Sequence, residues 1–378
     1  MFDAELALLR ERGHEVEALV VDNAEIAERR SLPQSIALGL NTVWSREGHQ
    51  RVQRAVQGFR PQVVHFHNTF HLISPSGYYA AKSEGARVVQ TLHNFRLLCA
   101  SAILHREGKV CEDCVGRRVA LPALRHRCFR GSRSATAALV AMQAAHRAAG
   151  TWIRQVDAFI ALTDFACAKF LKAGLPARKL VVKPNFLPND PGRGDARVGN
   201  ALFVGRLSPE KGIRTLMEAW RLGGELPKLT IIGDGPLAGE VRSFTQRHPG
   251  VEWVGWRSSE EVLTAMKSAG VLVMPSRWFE GFPRVLVEAY AVGLPVIASD
   301  LGSLAELVDE GETGLKFRPD EPQALVEVLR RLEADSPLRR RLADGARRAF
   351  ETHYTAERHL ERVLEIYRGA AVGQAVAR

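Results

Sequence analysis

The strongest constraint on the fold of this chain is a repeated alternation of short β-rich runs with longer helical segments. The alternation occurs on both sides of residues 184–194, which contain three prolines and two glycines. It is typical of parallel α/β sheets, because parallel strands are joined by helical crossovers. Proline and glycine at this density cannot continue a helix or a central strand. Residues 184–194 are therefore predicted to link two α/β domains.

The predicted strands are shared equally between the two halves. In the first half they cover residues 16–21, 62–67, 87–92, 158–162 and 180–183; in the second half they cover residues 201–204, 229–232, 251–254, 271–274 and 295–298. A length of 378 residues suits two domains. We predict two Rossmann-like domains with parallel sheets and a cleft between them. Their predicted bounds are residues 1–188 (with a cysteine-containing basic insertion at 95–133), residues 189–352, and a C-terminal helix at 353–378 that packs back on the first domain.

The first residues are acidic, and no run of about 18 uncharged apolar residues occurs. Neither a secretory signal nor a membrane-spanning helix is supported. Five cysteines without an export signal indicate a reducing compartment. We expect a cytoplasmic protein that attaches peripherally to the inner face of the membrane.

That expectation of membrane attachment comes from the distribution of charge. The net charge is +10, yet residues 1–188 carry 26 Lys and Arg against 15 Asp and Glu, and residues 87–133 carry ten against three. Such asymmetry indicates an anionic partner, although a solvated basic face is an alternative. A zinc-dependent nucleic-acid binder is disfavoured because Phe95 and Phe129 are the only aromatic residues of this stretch. We expect an anionic membrane surface and no nucleic acid.

In the second half, Arg206 and Lys211 follow the predicted strand 201–204, and a helix comes next. Open α/β sheets bind ligands at this edge, where helix N-termini favour phosphate. Arginine can hold two phosphate oxygens, and lysine adds a point charge. An ordinary strand–helix turn with exposed cations is an alternative, as it is for the glycine turn at residues 233–236.

A pair of glutamates seven residues apart follows strand 271–274. Glu280 lies in a loop, and Glu288 lies in the helix that Pro283 can start, about 8 Å further along. The first carboxylate can accept hydrogen bonds from sugar hydroxyls, and the second can hold a ribose diol, as acidic residues do in dinucleotide sites. Gly281 allows close approach of the backbone to a ligand.

With these elements, residues 201–317 resemble the donor domain of the group 1, Glu-x7-Glu glycosyltransferases (family 4), which have the GT-B fold. The matching segments are residues 205–212, 233–236, the glutamate pair and residues 299–306. The resemblance extends over nearly the whole chain. It implies a hexosyltransferase that retains anomeric configuration, moving a sugar from a nucleotide-diphosphate sugar to a hydroxyl of an acceptor glycan or lipid-linked sugar, in polysaccharide or glycolipid biosynthesis.

The resemblance also implies roles for individual residues. Arg206 and Lys211 would neutralise the departing diphosphate, with Glu280 and His93 as catalytic residues near the reacting sugar and Glu288 on the ribose. The remaining donor-binding residues would be Gly281, Phe282 and Pro283. No covalent nucleophile and no catalytic cofactor are implied, and the absence of Asp-x-Asp agrees with metal independence. Epimerases and phosphorylases share the fold, but the glutamate pair with Arg206 and Lys211 favours a transferase.

Three histidines end predicted strands of the first half: His65, His67 and His93. Polar residues at such an edge face the predicted cleft. His93 matches the histidine of the family, whereas for His65 and His67 a packed structural role is an equal alternative.

Four cysteines, Cys99, Cys111, Cys114 and Cys128, include one Cys-x2-Cys pair. This spacing can form a structural zinc site, in which His105 or His126 could replace one thiol. Free packed thiols and a disulfide are the alternatives.

Residues 2–12 read as a helix that ends at Gly13. A Rossmann-like domain begins one strand earlier, with a glycine-rich loop. We therefore expect the first strand of the N-terminal domain to be missing, about 15–20 residues to precede Met1, and the activity of the 378-residue chain to be weak.

Overall fold

The computed structural model describes residues 1–22, 32–70, 72–194 and 199–370. The chain divides into two compact α/β units. The first comprises Met1–Arg106, Cys111–Lys183 and the chain from Leu360; the second comprises Glu107–Val110 and Pro184–His359. No helix within the described ranges is both long and apolar enough to cross a bilayer.

The first unit contains one parallel sheet. Its strands are β1 (Val63–Phe66), β2 (Arg87–Thr91), β5 (Ala158–Ala161) and β6 (Leu180–Val182), hydrogen-bonded in the order β1-β2-β5-β6. Two short strands, β3 (His105–Arg106) and β4 (Lys109–Val110), lie between β2 and β5 in the chain. All four residues of β5 are buried, as expected of a central parallel strand.

Nine α-helices lie wholly or partly in the described residues of the first unit. They are α1 (Phe2–Glu11), α2 (Leu32–Val43), α3 (Arg46–Phe59), α4 (Ser76–Ser83), α5 (Leu121–His126), α6 (Arg133–Ala148), α7 (Thr151–Arg154), α8 (Asp164–Lys172) and α16 (Ala356–Arg368). Ile366 of α16 belongs to the same buried cluster as Val89, Ile160 and Val181 of the sheet. The end of α16 is thereby tied to the sheet of the first unit.

The strand predicted at residues 16–21 is wrong: this segment has no strand structure. Residues 16–21 and β1 both line a cavity of about 710 Å³. Leu19 and Val20 are 41% and 70% exposed. The valine-rich composition of this segment is suited to a strand, but a strand forms only where a neighbour accepts and donates its backbone hydrogen bonds.

The second unit contains a six-stranded parallel sheet. Its strands are β7 (Ala201–Val204), β8 (Leu229–Ile232), β9 (Val251–Gly255), β10 (Val271–Met274), β11 (Val296–Ser299) and β12 (Gly314–Phe317). They are hydrogen-bonded in the order β12-β11-β10-β7-β8-β9. The strand order reverses between β7 and β10. The sequence did not predict β12, a four-residue strand that contains a glycine and a lysine.

The helices of the second unit are α9 (Ile213–Leu222), α10 (Ala238–Thr245), α11 (Ser259–Ser268), α12 (Arg284–Ala291), α13 (Ser303–Leu307), α14 (Pro322–Ala334) and α15 (Ser336–His353). The core includes Leu216 of α9, Ile231 of β8, Val273 of β10 and Leu325 of α14, which are at most 1% exposed. The sheet therefore holds the loops that follow β7 and β10 on a rigid base.

Candidate functional site

The loops after β7 and β10 lie at the point where the strand order of the second unit reverses. In open α/β sheets this is the crevice that binds ligands. The two loops meet at Gly212, which has φ +72° and would place a Cβ 1.7 Å from the carbonyl oxygen of Pro275. Only glycine allows this approach, which brings the segment carrying Lys211 against the segment carrying Glu280.

Lys211 and Glu280 form an ion pair at this junction. The Lys211 Nζ lies 2.8 Å from Oε1 and 3.0 Å from Oε2 of Glu280. Ser276 donates a hydrogen bond of 2.6 Å to the same Oε1, and the ammonium lies 5.5 Å from the ring centroid of Trp278. Glu280 is 4% exposed, whereas the Lys211 side chain is 25% exposed. The carboxylate is thus held rigidly, and the ammonium remains accessible to a ligand.

Arg206 is exposed in the loop that follows β7. Glu288 lies in α12, where Arg284 one turn earlier places its Nε 3.0 Å from Oε1 of Glu288. Burial raises the pKa of Glu288, and the neighbouring Arg284 opposes that shift. A glutamate that is largely withdrawn from water is suited to a directed hydrogen bond.

Other predicted donor residues have structural contacts. Phe282 is buried, with its ring centroid 5.9 Å from that of Tyr354, and Pro283 caps α12. Gly281 is partly buried. At Gly233 a Cβ would lie 1.9 Å from the carbonyl oxygen of Gly205, so this glycine turn is required by backbone packing. This packing supports the alternative that residues 233–236 form an ordinary strand–helix turn.

In the first unit, three partly buried histidines in or just after β1 and β2 form a network with the buried Glu5 of α1. His67 Nδ1 lies 2.9 Å from His93 Nε2. Glu5 Oε1 lies 3.0 Å from His65 Nδ1 and 3.6 Å from His67 Nε2. The second carboxylate oxygen of Glu5 lies 3.6 Å from Nζ of Lys183, which is only 3% exposed.

His65 has two further partners in this network. Its Nε2 lies 2.8 Å from the Thr91 hydroxyl, and its Nδ1 lies 2.8 Å from the Tyr367 hydroxyl. Burial lowers the pKa of His65. Burial and the neighbouring His67 and His65 lower the pKa of His93 to about 4, so the His93 imidazole is neutral at neutral pH.

Glu5, His65 and His67 place three possible ligand atoms within 4.8 Å of one another, the only such group in the described part of the chain. The Lys183 ammonium already balances the Glu5 carboxylate and would repel a second cation at this distance. We interpret the group as a hydrogen-bonded network and not as a metal centre.

The four cysteines predicted to bind zinc are partly buried and free of disulfides. The pKa of the Cys114 thiol is raised to about 11 by burial and by the charges of Cys99, Cys128 and Cys111. The four residues therefore influence one another electrostatically. Within the described residues, however, no three of their sulfur atoms form a group as tight as Glu5, His65 and His67.

The basic insertion forms an exposed surface on the first unit. Six arginines of residues 117–133 are exposed: Arg117, Arg118, Arg125, Arg127, Arg130 and Arg133. Two apolar side chains lie among them in the sequence, Val119 at 42% and Leu121 at 63% exposure. This region, the arginine surface, combines positive charge with exposed apolar groups.

Among the members of these sites that were not predicted are Glu5, Lys183 and Ser276. Glu5 lies on the face of α1 that buries Leu8 and Leu9, and Lys183 follows the apolar strand β6. A charged residue within an apolar stripe must find a partner, because an unpaired buried charge is costly. That signal is present in the sequence, although it does not identify the partner.

Family models match both halves of the chain. The model for Glycosyltransferase Family 4 covers residues 5–190, and the model for Glycosyl transferases group 1 covers residues 198–349. An uncharacterized glycosyltransferase of Methanocaldococcus jannaschii is 33% identical over 46% of this chain and 48% of its own length. The amylovoran biosynthesis glycosyltransferase AmsK of Erwinia amylovora is 29% identical over 52% and 53%. The chain thus spans about half the length of these curated relatives.

Solved structures share the fold at lower identity. The Anabaena protein HepE in complex with UDP has a TM-score of 0.63 at 19% identity, covering 84% of this chain and 82% of HepE. Sucrose-phosphate synthase of Thermosynechococcus elongatus has a TM-score of 0.61 at 19% identity, covering 85% and 76%. The chain belongs to the group 1, family 4 glycosyltransferases and has their fold of two Rossmann-like α/β domains, GT-B.

Proposed function

We propose that this chain is a retaining glycosyltransferase that moves a sugar from a nucleotide-diphosphate sugar to an acceptor hydroxyl in polysaccharide or glycolipid biosynthesis. The observation that carries the proposal is the Lys211–Glu280 pair beside exposed Arg206, at the strand-order reversal of the second unit. Two comparisons support it. HepE was solved with UDP-glucose, and two relatives are named for amylovoran and colanic acid biosynthesis.

The chemistry follows from the charges at this edge. Arg206 and Lys211 bind the diphosphate and stabilise the negative charge that develops as it departs. Glu280, oriented by Ser276 and Lys211, accepts hydrogen bonds from hydroxyls of the donor sugar. Glu288 holds the ribose. The acceptor hydroxyl attacks the face that the diphosphate leaves, which retains the configuration without a covalent nucleophile, and no metal is needed where cations supply the stabilisation.

In the first unit, His93 contributes a neutral imidazole that accepts a hydrogen bond from a hydroxyl of the reacting sugar. An imidazole with a pKa of about 4 keeps one lone pair and one N–H at neutral pH. It can therefore orient a hydroxyl without placing a positive charge beside the sugar.

The test is a thermal-shift screen of nucleoside diphosphates, followed by transfer assays with the matching sugar nucleotides. A nucleotide at about 100 times its Kd should stabilise the chain by ~2.7 kcal/mol, a shift of several degrees in Tm. Inorganic phosphate at the same concentration is the control. Retention is then read from the anomeric configuration of the product. If no nucleotide raises Tm above the phosphate control, the proposal is wrong.

We further propose that the arginine surface docks on anionic lipid. Each surface cation contributes about 1 kcal/mol to binding an anionic membrane. Co-sedimentation with phosphatidylglycerol vesicles is expected at low salt, with loss at high salt. Changing Arg125 and Arg127 together to Gln should weaken binding by about 30-fold, the equivalent of ~2 kcal/mol.

The matched control for membrane binding changes Arg318 and Arg348 to Gln, since both side chains are well exposed in the second unit. This double variant should bind like the wild type. Equal recovery of the wild type with neutral phosphatidylcholine vesicles would contradict the electrostatic docking.

We also propose that Cys99, Cys111, Cys114 and Cys128 hold one structural zinc ion. Four thiols are a donor set that zinc accepts in structural sites. Burial raises the pKa values of the Cys111, Cys114 and Cys128 thiols, so zinc would have to displace protons and binding should weaken in acid. Metal analysis of protein never exposed to chelator should give about one equivalent of zinc, which Cys114→Ser abolishes. Cys167→Ser, at the buried cysteine of α8, is the control, and metal-free wild type would refute the site.

A further inference from the structure

His67 lies between the proposed catalytic residue His93 and the buried carboxylate of Glu5. We propose that Glu5 and His67 are positioning residues that hold the proton of His93 on Nε2 and leave its Nδ1 free to accept a hydrogen bond. The inference rests on the proposed function only for the role of His93. The contacts among Glu5, His67 and His93 are a property of the folded first unit.

Two contacts connect Glu5 to His93 through His67. His67 Nδ1 lies 2.9 Å from His93 Nε2, a normal hydrogen-bond length, and the two rings are stacked at 21° with centroids 5.2 Å apart. His67 Nε2 lies 3.6 Å from Glu5 Oε1, which is longer than a hydrogen bond but close enough for the negative carboxylate to favour a proton on that nitrogen. Each ring nitrogen of His67 therefore faces one neighbour.

The Glu5 carboxylate determines which group donates in each of the two contacts. A carboxylate only accepts, so Glu5 favours a proton on Nε2 of His67. A neutral His67 protonated at Nε2 has its lone pair on Nδ1, and it accepts there from His93 Nε2–H. A neutral His93 with its proton on Nε2 has its lone pair on Nδ1. The tautomer of His93 is thereby set by Glu5, which lies two contacts away in the network.

Groups from several elements of the first unit surround the network, and their charges act on His93 in opposite directions. His65 of β1 donates from Nδ1 to Glu5 or to the Tyr367 hydroxyl of α16, and its Nε2 accepts from Thr91 of β2. Lys183, after β6, faces the other oxygen of Glu5. Glu5 therefore faces groups from β1, from α16 and from the residue after β6. Its charge favours a proton on His93, whereas Lys183 and the two other histidines disfavour one.

This arrangement determines what His93 can do. Its Nδ1 can accept a hydrogen bond from a hydroxyl. If His93 gains a proton there, its Nε2–H still donates to His67, and the nearby Glu5 carboxylate stabilises the positive charge. The proton stays on His93 throughout, so Glu5 and His67 position this residue and do not themselves react.

The test uses ¹⁵N-histidine NMR, with the His93 signals assigned from a His93→Gln variant. In the wild type, His93 should be in the Nε2–H form at neutral pH and should titrate near its pKa of about 4. His67→Phe keeps a ring but removes the acceptor, and it should change the tautomer ratio of His93 by about 2- to 10-fold. Glu5→Gln should move the His93 titration to lower pH, because the charge that favours protonation is lost.

His14→Phe is the matched control, since His14 is exposed in the same unit. It should leave both readouts unchanged. Circular dichroism identifies variants that fold; if His67→Phe does not fold, the Glu5→Gln titration decides. A folded His67→Phe with the wild-type tautomer ratio, or an unchanged titration in Glu5→Gln, would overturn the proposal. Neither readout requires sugar transfer. Absence of transferase activity would therefore contradict the proposed function but not the positioning role of Glu5 and His67.

Discussion

Arg206→Ala should lower turnover at least tenfold and leave the stability of the chain unchanged. Arg206 is exposed, so its removal disturbs no buried partner, whereas a charge-assisted contact to the diphosphate is worth about 1.5–3 kcal/mol. Steady-state kinetics and urea unfolding measure the two effects separately. Lys228→Ala removes another exposed cation of the same unit and should leave turnover unaffected.

Lys211→Ala is expected to lower both turnover and stability. Its ammonium forms an ion pair with the buried carboxylate of Glu280, and alanine would leave that charge with the Ser276 hydroxyl as its other hydrogen-bond partner among the described residues. A double variant, Lys211→Met with Glu280→Gln, removes both charges and should regain stability without regaining turnover. Wild-type turnover in both Arg206→Ala and Lys211→Ala would remove the diphosphate assignment.

The location of Arg206 and Glu280 in loops at the same edge of the sheet could be predicted because it depends on topology. Arg206 and Glu280 each follow an apolar run, and the carboxyl ends of parallel strands meet at one edge of a sheet. The sequence could not predict that Lys211 pairs with Glu280, since that contact depends on the backbone meeting at Gly212. The sequence shows a glycine at position 212, but it does not show that a side chain there would collide with the carbonyl oxygen of Pro275.

The network of the first unit shows where sequence patterns stop being informative. Glu5 and Tyr367 lie at opposite ends of the chain, and only the docking of α16 on the sheet brings them together. The segment at 16–21 fails for a related reason. Its valine-rich composition satisfies the local requirement for a strand, but the requirement for a hydrogen-bonding neighbour is non-local.

The largest loss of stability is expected from Lys183→Met. Lys183 and Glu5 are 3% and 5% exposed, and their charged atoms lie 3.6 Å apart. Removing one member of a buried ion pair leaves an uncompensated charge, which typically costs about 3–5 kcal/mol. Urea unfolding at neutral pH should show this loss as a lower midpoint with an unchanged slope.

A double variant distinguishes the buried charge from lost packing. Glu5→Gln with Lys183→Met removes both charges at similar volume, and it should recover most of the stability, because paired removal of buried ions is often neutral. Lys82→Met is the comparison, since its pair with Asp157 at 2.7 Å is partly exposed, with side chains 37% and 22% accessible. Its loss should be about 1 kcal/mol. If the double variant is as unstable as Lys183→Met, the Lys183 stem stabilises the first unit by packing and not by its charge.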